Sequence, residues 1–238
     1  MLLLFATGAP QNGLTAEEEH WSYSAEDGPE KWANLSADFD MCSKGRNQSP
    51  IDLSGTLDAD LPELIFNYSN PGVTDEVNNG HTVLVSLKPG NFVSIQDRQY
   101  EAKQFHFHSP SEHTIDGKSF PLEIHLVHAN QAGELAVLGI LFAEGDRNPT
   151  LDQLRSFRPV ELGPPTTPVD YNEFFTSRSE YYTYNGSLTT PPCSEGVRWL
   201  VFKNPIIASS GQIERFHDSL GFDNNRPVQP ANSRIILE

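Results

Sequence analysis

"QFHFHSPSEHT", residues 104–114, places three histidines, a glutamate and a glutamine in eleven consecutive positions. Its opening alternates polar and aromatic side chains, the period of a β-strand. On such a strand His106 and His108 share one face, and Phe105 and Phe107 take the other. The two histidine Cα atoms then lie about 6.6 Å apart, at about 3.3 Å rise per residue. Imidazole arms at that separation can converge on one ion at Zn–N bonds of about 2.0 Å. A third ligand should come from a neighbouring strand, and "LEIHLVHA" (122–129) offers His125 between Ile124 and Leu126. His128 has the opposite parity, so a regular strand cannot aim both at one site. Three imidazoles without a thiolate suit a catalytic zinc whose fourth position stays open to water. An H-x-H pair alone is more often structural than ligating, but two neighbours favour the metal. Gln104 precedes His106 by two residues and Glu123 precedes His125 by two. Each shares its ligand's face, where an acceptor fixes the tautomer and raises the ring's basicity.

Outward from these segments, "LIFNY" (64–68), "HTVLVSL" (81–87), "NFVSIQ" (91–96), "AKQFHFHS" (102–109), "LEIHLVHA" (122–129), "LAVLGILFA" (135–143) and "VRWLVFK" (197–203) read as strands. The last three are nearly apolar on both faces, as in the centre of a sheet. Helices are few: "NPTLDQLRSF" (148–157) and "SGQIERFHDSL" (210–220) open on polar residues and space their apolar ones by three or four, and "YNEFF" (171–175) suits a single turn. The pattern predicts a mainly β (α+β) single domain with short peripheral helices.

The 238 residues suffice for one sizeable core, because β-rich folds often run that long as one domain. With 32 acidic against 16 basic residues the formal net charge is -16. That disfavours nucleic acid, which needs basic phosphate-contacting surfaces. The acidic excess reads as a solvated surface favouring solubility, with a saline habitat as the alternative. "EEEH" (17–20) is a solvated lead-in. No apolar run approaches the ~18 residues of a membrane span. "MLLLFATGA" (1–9) is apolar but short and lacks a basic start, leaving open a clipped signal peptide, an expression remnant or an ordinary tail. Two cysteines, Cys42 and Cys193, are either free thiols or a pair, and the absence of C-x-x-C removes zinc-ribbon and thioredoxin-type motifs. A pair would point to an oxidising compartment.

The three stretches "QFHFHSPSEHT", "LEIHLVHAN" and "YNGSLTTPPCSEGVRWLVF", with "HWSY" (20–23), "NQSPIDL" (47–53), "NNGH" (78–81) and "NNRPVQP" (224–230), together resemble the α-class carbonic anhydrases, in family order across nearly the whole chain. The resemblance implies a Zn2+ enzyme interconverting CO2 and bicarbonate on a central, mostly antiparallel, ten-stranded twisted sheet, open to sulfonamide or anion inhibitors at the metal. It places the domain at 20–238, after an N-terminal tail, 1–19. It implies His106, His108 and His125 as zinc ligands, with Gln104, Glu123 and a backbone carbonyl near Asn224 behind them. Thr189 corresponds to the family's gatekeeper threonine, Glu112 to its carboxylate partner, Thr190 lies beside them, and His81 matches the proton shuttle. Val127, Val137, Leu188, Val197 and Trp199 match the apolar wall for CO2, and Tyr23, Asn79 and Thr82 the shuttle's water path. His113 and His128 match structural histidines.

By the same resemblance, zinc ionises its water near neutral pH, an effect for which carbonic anhydrase is itself the reference case. Thr189 accepts the hydroxide's hydrogen bond because its own proton goes to Glu112, which orients the attack on CO2. An imidazole at His81 titrates near neutrality and can carry the proton out. Ser109 after the second ligand and Ala129 after His128 resemble the bacterial branch, where a disulfide commonly joins positions matching Cys42 and Cys193. Such a bridge would steady the Thr189 loop and implies a periplasmic or secreted protein. Leu84 departs from the polar group common in the shuttle's water network and predicts fewer ordered waters there. Competing readings are a silent binding module on the same fold, against which all ligands stand intact, and a zinc esterase, for which the apolar pocket is poorly suited except as a side activity. A homodimer is left open.

Overall fold

The computed structural model describes residues 20–69, 72–157, 170–175 and 178–238. The apolar start and most of the acidic lead-in read from the sequence lie outside them. The strands are β1 (Asp52–Leu53), β2 (Ile65–Asn67), β3 (Val73–Asn78), β4 (Val83–Leu87), β5 (Phe92–Ile95), β6 (Arg98–His108), β7 (Thr114–Ile115), β8 (Leu122–Ala129), β9 (Leu135–Glu144), β10 (Tyr181–Ser187), β11 (Glu195–Phe202) and β12 (Ile206–Ala208). Short helices α1 (Trp32–Leu35) and α2 (Met41–Lys44) precede them, and α3 (Ser210–Leu220) follows. Ten strands form one sheet with the path β10-β11-β9-β8-β6-β4-β3, to which β5 adds on β6, β2 on β5 and β12 on β9. Within this sheet, among the described residues, only the β9–β11 and β9–β12 pairings are parallel. β1 and β7 form a separate two-stranded ladder.

The central strands are those whose sequence is apolar on both faces. β8 and β9 are buried along most of their length, because each has a sheet neighbour on both sides and a packed layer on at least one face. One face carries Phe105, Phe107, Ile124 and Ile140 into the larger core, where Phe107 meets Phe157 at 4.6 Å and Phe157 stacks on Phe216 of α3 at 5.1 Å between ring centroids. α3 begins where Gln212 Oε1 accepts from the Ser209 N–H at 3.1 Å. It stops at Gly221, whose left-handed φ of 79° turns its N–H back onto the His217 carbonyl at 2.8 Å.

The helix expected over 148–157 does not form. Asn148 Oδ1 instead accepts the N–H groups of Thr150 and Leu151, and only a 3-10 turn, Leu151–Gln153, follows. The next N–H groups, those of Arg155 and Ser156, donate to the Glu76 carboxylate at 3.0 Å each. Bonds that would have propagated a helix are spent tying this segment to β3. The single turn expected at "YNEFF" is the 3-10 helix Tyr171–Phe174. β1, β3, β7, β10 and β12 lie outside every segment whose pattern reads as a strand.

Candidate functional site

Register across the sheet builds the site. His106 on β6 is paired directly with His125 on β8, and His108 with Glu123. The row continues from His125 to Gly139 on β9 and Val201 on β11, and on the other side from His106 to Leu84 on β4. All these side chains share one face because paired residues point the same way. Gly139 serves this row sterically: a Cβ there would sit 3.2 Å from Glu123 Oε1.

The three imidazoles offer nitrogen atoms that lie within 4.8 Å of one another. Each ring's other nitrogen is engaged. His106 Nδ1 donates to Gln104 Oε1 at 2.9 Å, His108 Nδ1 to the Asn224 carbonyl at 2.7 Å, and His125 Nε2 to Glu123 Oε1 at 2.8 Å. Because every one of these partners is an acceptor, each ring is fixed in one tautomer with its remaining lone pair turned to a common point. His108 Nε2 is buried and has no hydrogen-bond partner among the described residues. Burial holds all three rings neutral, His108 down to about 4 and His106 well below the usual range. Neutral nitrogen donors, a buried one without a partner, and no thiolate fit zinc in an open site.

Behind the rings, Glu123 is fully buried and accepts four hydrogen bonds: the N–H groups of Glu112 and His113 at 2.9 Å each, His113 Nδ1 at 2.7 Å and His125 Nε2 at 2.8 Å. Burial alone would raise its pKa, but His113 and His125 hold it well below the carboxylate range. His113 Nε2 in turn meets the Tyr184 hydroxyl at 2.7 Å, and that hydroxyl meets Ser49 Oγ at 2.9 Å. Glu112 is buried as deeply but accepts less. Its Oε1 takes the Arg226 N–H at 2.8 Å, and Oε2, 3.8 Å from His125 Nδ1, has no hydrogen bond of full geometry. Burial therefore raises it to about 7, against the opposing pull of His125, the Arg226 N–H and the nearby Thr189 hydroxyl.

Thr189 and Thr190 lie on the loop after β10, which closes through Leu188 N–H to Ser194 O at 3.0 Å and Cys193 N–H to Thr190 O at 2.8 Å. Cys193 is bridged to Cys42. The pair is buried with Trp32, and Trp21 and Tyr23 pack against it. Val137, Val197 and Trp199 form an apolar cluster with half-buried Val127 and Leu188 against it. Val127, Val137 and Trp199 are consecutive partners across the sheet, two residues along the strands from the His106–His125 row and so on the same face. Trp199 lies 4.7 Å from His125 between ring centroids.

His81 sits in the turn before β4 and stacks on Trp21 at 3.9 Å, with 9° between the ring planes. Its Nδ1 is buried without a partner, and burial first, then His20, lowers its pKa. Asn79 Oδ1 accepts the N–H groups of His81 and Thr82 at 3.0 and 2.9 Å, and the Thr82 hydroxyl donates to the Phe107 carbonyl at 2.6 Å. The polar atoms expected on a water path therefore shape the turn that carries His81. Tyr23 is half-buried and electrostatically coupled to Glu112 and Arg226.

Two residues carry more than their sequence context signalled. Asn224 accepts from His108 through its carbonyl and from the Ser109 N–H through Oδ1 at 2.8 Å, while Nδ2 donates to Phe107 O at 2.8 Å and His81 O at 3.1 Å. Arg226, 1% exposed, donates to Gln48 Oε1, Ser49 O and Cys42 O at 2.9, 2.8 and 3.0 Å. "NNRPVQP" marked the segment, but nothing local told that its arginine would be buried.

Residues 27–238 match the family described as eukaryotic-type carbonic anhydrase. The carbonic anhydrase of Neisseria gonorrhoeae is 41% identical over 240 residues, covering 100% of this chain and 95% of the relative. That of Pectobacterium carotovorum is 42% identical, covering 92% and 90%. Among solved structures, the α-carbonic anhydrase of Thermovibrio ammonificans in complex with the inhibitor sulfanilamide superposes with a TM-score of 0.87 at 43% identity, over 93% of this chain and 100% of that one.

Proposed function

The chain belongs to the α-class, eukaryotic-type carbonic anhydrase family, and from that premise we propose that His106, His108 and His125 hold zinc for the reversible hydration of CO2 to bicarbonate, with His81 exporting the proton. The observation that carries this reading is the convergence of three neutral ring nitrogens, one of them buried without a partner, each fixed by an acceptor on its far side. Zinc held by these three rings would act as a Lewis acid that ionises water near neutral pH, the effect for which carbonic anhydrase is the reference case.

The remaining work falls to the chain. Glu123, Gln104 and the Asn224 carbonyl keep the donor lone pairs aimed inward. Thr189, beside Glu112, donates its hydroxyl hydrogen bond to that carboxylate, which leaves its own oxygen free to accept one and so to orient the attack. Val127, Val137, Leu188, Val197 and Trp199 accommodate an uncharged, apolar substrate without polar anchors. Bicarbonate, being charged, gains nothing from that wall and departs. His81 accepts the surplus proton on its ring and releases it outward. Sulfonamide binding at the same nitrogens is part of this proposal, supported by the sulfanilamide complex of the Thermovibrio relative. The Cys42–Cys193 bridge supports a periplasmic or secreted location.

Stopped-flow CO2 hydration with a metal assay tests the reading. Activity should track zinc content and vanish with a chelator. His81→Ala should lose kcat at unchanged kcat/KM and recover with small imidazole buffers. Zinc-free protein that hydrates CO2 at the full rate would refute it.

A further inference from the structure

Resting on the reading of Thr189 and Glu112 as the pair that orients the attack, we propose that Arg226 is a positioning residue for the reaction: through Gln48, Ser49 and its own backbone it fixes the Thr189 loop against the Glu112 carboxylate.

The two members of that pair come from distant parts of the chain. Glu112 Oε2, the oxygen left for Thr189, has no hydrogen bond of full geometry among the described residues. Its spacing from the threonine is therefore set by what anchors each side. Glu112 is anchored through Oε1, which accepts the Arg226 N–H at 2.8 Å. The Thr189 loop is gripped at both ends by residues 48 and 49. Before it, the Ser49 N–H donates to Ser187 Oγ at 2.9 Å, and the Ser187 N–H donates to Ser49 Oγ at 3.1 Å. After it, Gln48 Nε2 donates to the Cys193 carbonyl at 3.0 Å. The Cys193 N–H in turn closes the loop on Thr190 O.

The Arg226 guanidinium joins the two sides. Nη1 donates to Gln48 Oε1 at 2.9 Å and to Ser49 O at 2.8 Å, while Nη2 donates to Cys42 O at 3.0 Å, behind the bridge to Cys193. One residue thus holds Glu112 with its backbone and both loop grips with its side chain. A planar fork of donors spans such a set of oxygens, whereas an ammonium is a point donor.

The electrostatics argue for a task beyond folding. The residue is 1% exposed, its three side-chain acceptors are uncharged oxygens, and Nε is buried without a partner among the described residues. A buried cation with neutral contacts is unfavourable, and an apolar side chain would serve packing alone better. The Trp32 ring, with its centroid 5.7 Å from the guanidinium carbon, offsets part of this. Burial opposes the charge, and Glu112 and Tyr23 favour it. The countercharge is the carboxylate that serves Thr189.

Stopped-flow CO2 hydration compares wild type with Arg226→Lys, Gln48→Met and Thr189→Ala, and with each of the first two combined with Thr189→Ala. Arg226→Lys should lower kcat/KM roughly five- to fiftyfold, inside the ~10² that a misplacement of about 1 Å can cost. Zinc affinity, from chelator competition, should stay within about threefold, because Asn224 behind His108 keeps its own bonds to Ser109, Phe107 and His81. In the Thr189→Ala background the same substitution should cause no further loss, since the group it positions is gone. Gln48→Met leaves the Arg226 N–H on Glu112 and repeats the cycle where Arg226→Lys fails to fold. Losses that multiply in the double variants mark a purely structural role and overturn the inference. Wild-type kcat/KM in both single variants, beside a slowed Thr189→Ala, does the same and leaves the orienting pair standing. A Thr189→Ala with wild-type kcat/KM overturns that pair and this inference with it.

Discussion

Replacing Glu123 with glutamine changes one oxygen to an amide nitrogen, and the surroundings leave that nitrogen no acceptable place. In the native protein, Oε2 accepts two backbone N–H groups and Oε1 accepts two imidazole N–H groups, all at 2.7–2.9 Å. If the glutamine oxygen faces the rings, its NH2 meets the N–H groups of Glu112 and His113. Two buried donors lose their acceptor, at about 1–3 kcal/mol each, or about 2–6 kcal/mol in all. If the oxygen faces the backbone instead, His125 must accept at Nε2 and carry its proton on Nδ1. That removes one of the three converging lone pairs, and metal affinity should fall about 10- to 100-fold or more. The variant can preserve stability or zinc, not both. Urea unfolding of the metal-free protein measures the first, and competition with a chromogenic chelator the second. Zinc affinity within about threefold of wild type, together with stability within about 1 kcal/mol, would refute the assignment of four donors to this carboxylate.

His128, buried behind β8 with Nε2 2.6 Å from the Tyr68 hydroxyl, has its pKa lowered by burial to about 4. The unfolded chain therefore takes up that proton first, near pH 6.5; stability is complete above that pH and declines until about pH 4, by about 3 kcal/mol for this ring. His128→Gln should flatten the stability–pH slope in that window, and an unchanged slope would show the ring is not held neutral. Gly186→Ala would set a Cβ 2.1 Å from Ser49 Oγ and 2.8 Å from atoms of Trp199 and Tyr184. It should destabilise by about 3 kcal/mol through overpacking, read from the denaturation midpoint. Removing the Cys42–Cys193 bridge, which spans 151 residues, should cost about 2–5 kcal/mol and loosen the Thr189 loop, seen as a lower kcat together with a lower urea midpoint in Cys42→Ser/Cys193→Ser. Leu84, paired with His106 across the sheet, should slow proton export, so Leu84→Gln should raise kcat at low buffer; an unchanged kcat would show that this position is neutral.

The strand parity of His106, His108 and His125 was legible because a period of two has one outcome once a strand forms, and the sheet then places His125 opposite His106. His128 shows the same rule from the other side: its opposite parity takes it to Tyr68. Contacts distant in the chain were not legible from local pattern. Asn224 reaches His108 across 116 positions and Arg226 reaches Cys42 across 184. β10 escaped notice because its tyrosines 181, 182 and 184 do not alternate with polar residues and the strand ends in Asn185-Gly186-Ser187, a composition that reads as a turn. The stretch 148–157 misled for the converse reason. Its apolar spacing suits a helix, but Glu76, far upstream, supplies a better acceptor for its N–H groups.

The three acceptors behind the ligating rings differ in kind, and the difference orders the ligands. An amide oxygen, Gln104, serves His106; a backbone carbonyl, that of Asn224, serves His108; and a carboxylate, Glu123, serves His125. A hydrogen bond to an ionised acceptor is roughly twice as strong as one between neutral groups. His125 would then be the most electron-rich donor of the three. His125 and His108 are each 1% exposed, and His106 is half-buried. Replacing Gln104 should therefore weaken metal binding less than replacing Glu123, because the lost acceptor is neutral and solvent can reach the half-buried ring. Glu123 has no such substitute: it neutralises charge in a place water does not enter, and the N–H groups of Glu112 and His113 anchor it there. The two backbone donors are as much a part of the proposed metal site as the rings, since they keep the carboxylate ionised behind His125.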